Sequence, residues 1–130
     1  MYLHLVWSTW RRQPFITADL QQRVYSSLAH HCAELGADVI AIGGMPDHVH
    51  VFVRMPTTIS ISEFVRRLKG ASSHFVTHVL GSPEPFKWQG GYGVFSVSKR
   101  HVPAVRNYVM NQEQHHREGT THPGFERMEE

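Results

Sequence analysis

Residues 38–54 read DVIAIGGMPDHVHVFVR and contain two extended runs with a turn between them. The runs are Asp38–Gly43 and His48–Arg54, and both are rich in the β-branched residues that favour strands. The intervening residues 44–47, Gly-Met-Pro-Asp, supply the chemistry of a turn. The sequence therefore predicts a β-hairpin in the middle of the chain.

Strands and helices are predicted on both sides of the hairpin from the spacing of apolar residues. In chain order they are a strand at Tyr2–Trp7, a helix at Thr17–Leu35, the hairpin, a helix at Ser60–His78, a loop at Gly81–Gly91, a strand at Gly93–Ser98 and a helix at Val102–Arg117. This order predicts an α+β sandwich of ferredoxin-like or RRM-like type, with helices on one face of a largely antiparallel sheet. The opposite face is expected to be free for a ligand or a partner.

Length and composition fit one small globular domain. The chain has 130 residues, of which 41% are hydrophobic, and we expect a single domain at residues 1–117 followed by a polar tail at residues 118–130. Because so small a unit buries a limited core, a second subunit that covers more apolar surface is also expected. Cys32 is the only cysteine, which excludes an internal disulfide and any zinc site built from several thiolates.

The expected location is the cytoplasm. No apolar run approaches the roughly 20 residues that cross a bilayer, and the first residues lack the layout of a signal peptide. A net charge of +2 permits nucleic-acid binding without demonstrating it. The count of eleven histidines is the more unusual feature.

Two of these histidines form the motif His48-Val49-His50 on the second strand of the hairpin. Residues two apart on a strand point to the same face, so both imidazoles project together while Val49 projects to the other side. Two neutral imidazoles can supply two ligands of a divalent metal site, and a third ligand must then come from elsewhere in the chain. The alternative is a pair of unrelated, half-exposed strand histidines. Asp47, just before the motif, could orient an imidazole or cap the turn.

Tyr108 and Gln112 form the second constellation, on the last predicted helix. A separation of four residues places both side chains on one helix face. A tyrosine phenolate can attack phosphorus and form a covalent phosphotyrosine, although its ordinary pKa of about 10 means that a metal, a base or a positive field must assist. The alternatives are a core tyrosine with a hydrogen-bonded hydroxyl and a solvated glutamine.

Taken together, several ordered motifs make the sequence resemble the single-tyrosine transposases of the IS200/IS605 type, within the HUH nuclease class. The motifs are His4–Thr9 (HLVWST), Pro46–Val51 (PDHVHV), Leu68-Lys69-Gly70 with Ser72 and Ser73, Trp88–Gly93 (WQGGYG) with Phe95–Ser98 (FSVS), and Asn107–Gln112 (NYVMNQ) before His115-His116. They span nearly the whole chain. The combination is far more specific than a single His-x-His.

The resemblance implies a role for each residue of the two constellations. His48 and His50 would bind Mg²⁺ or Mn²⁺, Gln112 would be the third ligand and Tyr108 the nucleophile. The implied activity is metal-dependent cleavage and rejoining of single-stranded DNA at hairpin-flanked element ends, through a 5′-phosphotyrosine intermediate. The resemblance also implies a homodimer in which the last helix can place Tyr108 against the histidine pair of the partner subunit.

DNA contacts outside the catalytic residues are predicted at two kinds of position. Basic side chains could bind phosphates and aromatic side chains could stack on unpaired bases; the candidates are Arg66, Arg67, Lys69, Trp88 and Tyr92, with Phe86 as a further possibility. The alternatives are a solvated helix face for the basic residues and a bracing role in the loop or dimer for the aromatic ones.

Two other functions remain open from the sequence. One is a domesticated relative that binds repeated hairpin DNA as a regulatory or housekeeping module, with cleavage secondary or absent. The other is a ferredoxin-like dimeric module that binds a small ligand, which requires the motif matches to be coincidences.

Overall fold

The computed structural model describes residues 1–81 and 86–112, which form seven main elements. In chain order these are β1 Tyr2–Ser8, α1 Ala18–Glu34, β2 Asp38–Met45, β3 His48–Arg54, α2 Ile61–His74, β4 Gly93–Val97 and α3 Val102–Met110. Each lies where the sequence predicts an element of that type. Helix α2 itself ends at His74, before the predicted end at His78. A wider π-helical turn, Phe75–Val79, continues the helical segment beyond it.

The four strands form one antiparallel sheet in the order β2-β3-β1-β4. Strand β1 lies in the interior of the sheet and pairs with β3 on one side and β4 on the other. The predicted hairpin is therefore present, and the sheet continues beyond it through a strand from the beginning of the chain. This topology confirms the α+β fold with a ferredoxin-like arrangement.

Helices α1 and α2 cover one face of this sheet. Alternate strand residues point into the layer between sheet and helices, where the core contains Leu3, Leu5, Trp7, Val49, Val51 and Val53 from the strands. Leu28 of α1 and Phe64 and Leu68 of α2 complete that layer. Complete burial of each such side chain stabilises the fold by roughly 1.5–3 kcal/mol.

Helix α3 packs on the opposite face, which corrects the expectation that this face is free. Val105 and Val109 of the helix contact Ala41 and Phe52 of the sheet in a second, smaller apolar cluster. The physical reason is that the packed side of α3 needs an apolar surface, and β2 and β3 provide one at Ala41 and Phe52. Helix α3 thereby brings its side chains onto the face that carries the histidines.

Some predictions fall outside the described residues. The last helix was predicted to run from Val102 to Arg117, but α3 ends at Met110 because the backbone at Asn111 leaves the helical conformation. The part of that prediction beyond Gln112 and the tail at residues 118–130 lie outside the described residues. His115 and His116 belong to the same undescribed part. Among the described residues, the helices are too short and too polar for any of them to span a bilayer.

Candidate active site

Three histidines lie side by side on the sheet face beneath α3. His48 and His50 alternate with inward-pointing valines on β3, and their ring centroids are 5.2 Å apart. On the neighbouring strand, His4 alternates with Leu3 and Leu5 in the same way. All three side chains are buried. The strand period of two residues thus places the histidine pair as predicted and adds a third imidazole next to it.

Each histidine of the pair has a hydrogen-bond partner at its Nδ1 atom. For His48 the partner is the Asp47 carboxylate, with 2.7 Å between Nδ1 and Oδ1. For His50 it is the imidazole of His4, with 2.7 Å between Nδ1 of His50 and Nε2 of His4. The rings of His4 and His50 are stacked with centroids 5.0 Å apart. The orientation of both rings is therefore fixed from the Nδ1 side.

Asp47 has a pKa below that of an ordinary aspartate. The hydrogen bond with His48 is the main cause, and the charge of Arg12 adds to it, while partial burial acts in the opposite direction. The Arg12 guanidinium lies 3.2 Å from the second carboxylate oxygen of Asp47. Asp47 therefore orients an imidazole as an ionised acceptor, which is one of the two roles that the sequence left open.

Tyr108 lies over the histidines of its own chain. Its ring centroid is 6.0 Å from that of His50 and 6.5 Å from that of His4, and the side chain is only 9% exposed. The backbone of α3 can approach the sheet at this point because Gly43, the strand partner of His50, has no side chain. The structure thus brings the predicted nucleophile and the histidine pair together within one chain.

Gln112 lies two residues beyond the end of α3, after a turn at Asn111, and is 1% exposed. Its side-chain amide donates to the Tyr108 carbonyl oxygen at 3.0 Å. Its Oε1 atom is buried and accepts no hydrogen bond from the residues that the structure describes. Gln112 lines a groove with Gly43 and Gly44, on the strand that pairs with the histidine strand. A buried amide oxygen without a donor is suited to a cation.

A metal ion bound by His48 and His50 would need a third protein ligand, and the Gln112 amide oxygen is a candidate. In the described part of the chain, no three His, Cys, Asp or Glu side chains converge with the geometry of a metal site. The pair alone supplies two nitrogen ligands, and Gln112 offers an oxygen of the kind that hard divalent cations accept. The donor set fits Mg²⁺ or Mn²⁺ better than a closed zinc site.

The basic candidates for DNA contact on α2 all have partners within the chain. Arg66 and Arg67 both donate to the carboxylate of Glu63, one turn earlier on the helix. Lys69 donates to the carbonyl oxygens of Gln89 and Gly91 at 2.6 and 3.0 Å, and burial lowers its pKa. Lys69 therefore holds the loop before β4 against α2. DNA contact by these residues stays a prediction.

The aromatic candidates separate into a buried and a half-exposed group. Trp88 is 6% exposed, donates from Nε1 to the Ser72 hydroxyl at 2.8 Å and packs edge to face on Trp7. Phe86 is buried against it. These contacts favour the bracing role for Trp88. Tyr92 is half-buried and lines a surface depression with Arg66 and Lys69, so stacking of a base on Tyr92 stays a prediction.

His4 is the site residue to which the sequence assigned no role. His4 belongs to the motif His4–Thr9 that contributes to the family resemblance. Its contact with His50 depends on the pairing of two strands, and the two residues are 46 positions apart in the sequence. The alternation of His4 with buried Leu3 and Leu5 was a weak signal of its face. Nothing in local spacing indicates which strand lies beside the histidine pair.

Comparison with known proteins assigns this chain to one protein family. The family model described as "Transposase IS200 like" matches residues 1–112. The chain therefore belongs to the IS200-like transposase family, the single-tyrosine transposases that the motifs resemble. Its function is accordingly that of a transposase in DNA transposition.

Individual relatives agree with this assignment. The chain is 28% identical over 114 residues to the ISDra2 transposase TnpA of Deinococcus radiodurans, covering 84% of this chain and 81% of the relative. It is 28% identical over 116 residues to the IS200 transposase of Salmonella typhimurium, covering 84% and 74%.

Solved structures agree in fold. A crystal structure of a Deinococcus radiodurans R1 protein assigned as a transposase superposes with a TM-score of 0.67 at 27% identity, covering 92% of this chain and 90% of that chain. A REP-associated tyrosine transposase bound to a REP hairpin superposes with a TM-score of 0.66, covering 92% and 69%. The second protein is only 12% identical, so it supports the fold alone.

Proposed function

We propose that this protein cleaves and rejoins single-stranded DNA at hairpin-flanked element ends, through a 5′-phosphotyrosine on Tyr108 and with a divalent metal at His48 and His50. The observation that carries the proposal is the position of the Tyr108 ring, 6.0 Å from that of His50 on a sheet face where both are largely buried. The proposed nucleophile and one of the proposed nitrogen ligands are thus neighbours on the same sheet face.

The proposed chemistry is two balanced transesterifications. In cleavage, the Tyr108 oxygen forms a bond to the scissile phosphorus, the bond from phosphorus to the 3′ oxygen breaks, and the released strand takes a proton as its 3′ hydroxyl. In rejoining, a 3′ hydroxyl attacks the phosphotyrosine and the tyrosine hydroxyl is restored. One phosphodiester bond is exchanged for another, so no nucleotide cofactor is required.

The metal would be held by the two imidazoles and the Gln112 amide oxygen. When bound there, Mg²⁺ or Mn²⁺ would polarise the scissile phosphate and neutralise the charge that develops on it. The chain's own contribution is to orient both imidazoles through Asp47 and His4 and to exclude water by packing α3 over them. The Gln112 oxygen is buried and accepts no hydrogen bond from residues 1–81 or 86–112, which supports this ligand set.

The proposed substrate and assembly follow from the family. The REP-associated tyrosine transposase of similar fold binds a REP hairpin. We propose that this protein also binds hairpin DNA. A homodimer and a cytoplasmic location are proposed on the same basis. Tyr92, together with Arg66, Arg67 and Lys69, is the proposed surface for the unpaired strand.

The test is formation of a covalent adduct. Wild-type protein and Tyr108→Phe are incubated with single-stranded hairpin DNA from the element's own flanks, in Mg²⁺ or in EDTA, and adducts are resolved under denaturing conditions. Tyr2→Phe is the matched control, because Tyr2 is a partly buried tyrosine on the same sheet face and packs beside α3. We expect an Mg²⁺-dependent adduct from the wild type and from Tyr2→Phe only.

Other outcomes discriminate between the candidate functions. An adduct from Tyr108→Phe would refute the assignment of the nucleophile. Binding of the hairpin without any adduct, on DNA that carries the correct flank, would favour the domesticated binding module. Failure to bind single-stranded DNA at all would favour the small-ligand module.

A further inference from the structure

We propose that His4 is a positioning residue for the metal site, which holds His50 in the tautomer that presents Nε2 to the metal. This inference rests on the proposed function, since it assumes that His50 is a metal ligand. It assigns a role to a side chain outside both constellations, and it concerns the orientation of the ligand rather than the reacting atoms.

The contact between the two rings is built into the sheet. In the β1–β3 register His4 lies opposite Phe52, and His50 is two residues before Phe52 on the same face. The rings of His4 and His50 are fully buried, stacked, and joined by the 2.7 Å contact between Nε2 and Nδ1. Paired strands fix the positions of both, and the ring of Phe95 packs on the other side of His4, 5.7 Å away between centroids. His4 is therefore preorganised.

The proton in this contact decides whether His50 can bind a metal. A neutral imidazole has one N–H donor and one acceptor nitrogen. If His50 donates from Nδ1 to Nε2 of His4, its own Nε2 carries the lone pair that a metal requires. If His4 donates instead, the proton of His50 is on Nε2 and that atom cannot be a ligand. The proposed arrangement is the first one.

The neighbouring histidine supports this choice. His48 donates from Nδ1 to the Asp47 carboxylate, because an ionised carboxylate can only accept. Its Nε2 is then the metal-binding atom. Residues two apart on a strand point to the same face of the sheet, and the rings of His48 and His50 lie 5.2 Å apart between centroids on that face. With both Nδ1 atoms engaged by partners, His48 and His50 would present Nε2 to one ion.

A neutral acceptor behind His50 also has an electrostatic advantage. Ligating histidines commonly donate their other N–H to a carboxylate or a carbonyl. Asp47 already supplies one negative charge, which Arg12 partly balances. A second carboxylate in the buried position of His4 would repel the scissile phosphate in a region of low dielectric. An imidazole orients the ligand without adding charge.

The inference is tested with two substitutions of His4. His4→Phe keeps a ring in the buried position but removes the acceptor, whereas His4→Gln retains an acceptor oxygen at a similar reach. Binding of Mn²⁺ to the protein is measured by electron paramagnetic resonance of the free ion, independently of DNA cleavage. We expect His4→Phe to weaken Mn²⁺ binding about 10- to 100-fold, the range typical of lost partners behind metal ligands, and His4→Gln to stay within about threefold of wild type.

Imidazole ¹⁵N resonances of the metal-free protein provide a second measurement. The His50 ring is assigned by its disappearance in His50→Ala. We expect wild type and His4→Gln to show His50 protonated at Nδ1, and His4→Phe to lose this single tautomer. A merely structural role for His4 would lower thermal stability without moving this signal.

The controls separate this inference from the proposed function. If His50→Ala binds Mn²⁺ as wild type does, His50 is not a ligand and the proposed metal site itself is wrong. If His50→Ala loses binding but folded His4→Phe does not, only the role of His4 is wrong. Wild-type His50 protonated at Nε2 would also overturn the inference, and that measurement holds even if His4→Phe does not fold.

Discussion

Gly43 on β2 and Val109 on α3 approach so closely that a β-carbon at residue 43 would overlap the Val109 carbonyl oxygen. The strand partner of Gly43 is His50, and the residue before Val109 is Tyr108. One backbone contact therefore sets the distance between the nucleophile's helix and the strand of the histidine pair. Any side chain at residue 43 must move one of the two.

Gly43→Ala is predicted to disable cleavage while leaving the fold intact. The added methyl group displaces α3, and a misplacement of about 1 Å at a reacting group can cost on the order of 10²-fold in rate. The measurement is the rate of covalent adduct formation on hairpin DNA, with circular dichroism to confirm folding.

Gly70→Ala is the matched control for this substitution. Gly70 lies within α2, and a β-carbon there meets no atom of the described chain within 4 Å. Alanine in a helix interior is favoured over glycine by about 1 kcal/mol, so we expect wild-type cleavage and slightly higher stability. A wild-type rate for Gly43→Ala would show that the helix is positioned by other contacts.

The sequence predicted the parts of the site that depend on local periodicity. The shared face of His48 and His50 follows from strand alternation, and it holds wherever the strand packs. The predicted continuous helix through Tyr108 and Gln112 is interrupted at Asn111, although the Gln112 amide still donates to the Tyr108 carbonyl oxygen. The α+β class was likewise predicted, because the order of strands and helices along the chain restricts the possible topologies. The order of the strands within the sheet was not predicted.

The remaining features depend on contacts between distant segments. The packed side of α3 was predicted from Val102, Val105 and Val109, but an amphipathic helix does not indicate which face of a sheet it covers. To predict the role of His4, one must know the β1–β3 register. To predict the burial of Trp88, one must know that its loop folds into the core. Such long-range pairing is not contained in the spacing of any one segment.

Tyr108 and His50 of one chain lie together, so we predict that they belong to one active site. Tyr108→Phe and His50→Ala subunits, refolded together to allow mixed dimers, should remain inactive because every site lacks one group. The measurement is adduct formation in the mixture relative to wild type. Recovery of activity would instead show that α3 is exchanged between subunits, which is the arrangement that the family resemblance implies.

Trp88 and Tyr92 are predicted to affect different properties. Trp88→Phe removes the hydrogen bond from Nε1 to Ser72 in the core and should lower the free energy of unfolding by about 1–3 kcal/mol, with unchanged affinity of the folded protein for DNA. Urea unfolding and fluorescence anisotropy with labelled single strands measure the two properties.

Tyr92→Ala is predicted to show the opposite behaviour. Its half-exposed ring lies beside Arg66 and Lys69, and loss of one base-stacking contact costs about 1–3 kcal/mol of binding. Stability should change little. If Trp88→Phe weakens DNA binding and Tyr92→Ala does not, the assignment of these two aromatic residues must be reversed.

The ion pairs of Glu63 predict how stability at the start of α2 depends on pH. Hydrogen bonds from Arg66 and Arg67 lower the pKa of Glu63 to about 2, from an ordinary value of 4.5. Because the folded pKa is the lower one, the stabilisation is fully present above about pH 4.5 and is lost as the pH falls towards 2. Glu63→Gln should therefore be less stable than wild type at about pH 6, and the difference should shrink below about pH 4 and in high salt.

Ser60→Ala provides the contrast at the same helix end. The Ser60 hydroxyl accepts a hydrogen bond from the backbone N–H of Glu63 at 3.2 Å, and loss of such a cap costs about 1 kcal/mol. This loss involves no titrating group, so it should be constant across the same pH range. Urea unfolding of wild type and both variants measures the differences directly. A Glu63→Gln deficit that is as large at pH 3 as at pH 6 would mean that the arginine pairs contribute nothing to stability, and that both guanidinium groups are available to DNA without an energetic penalty.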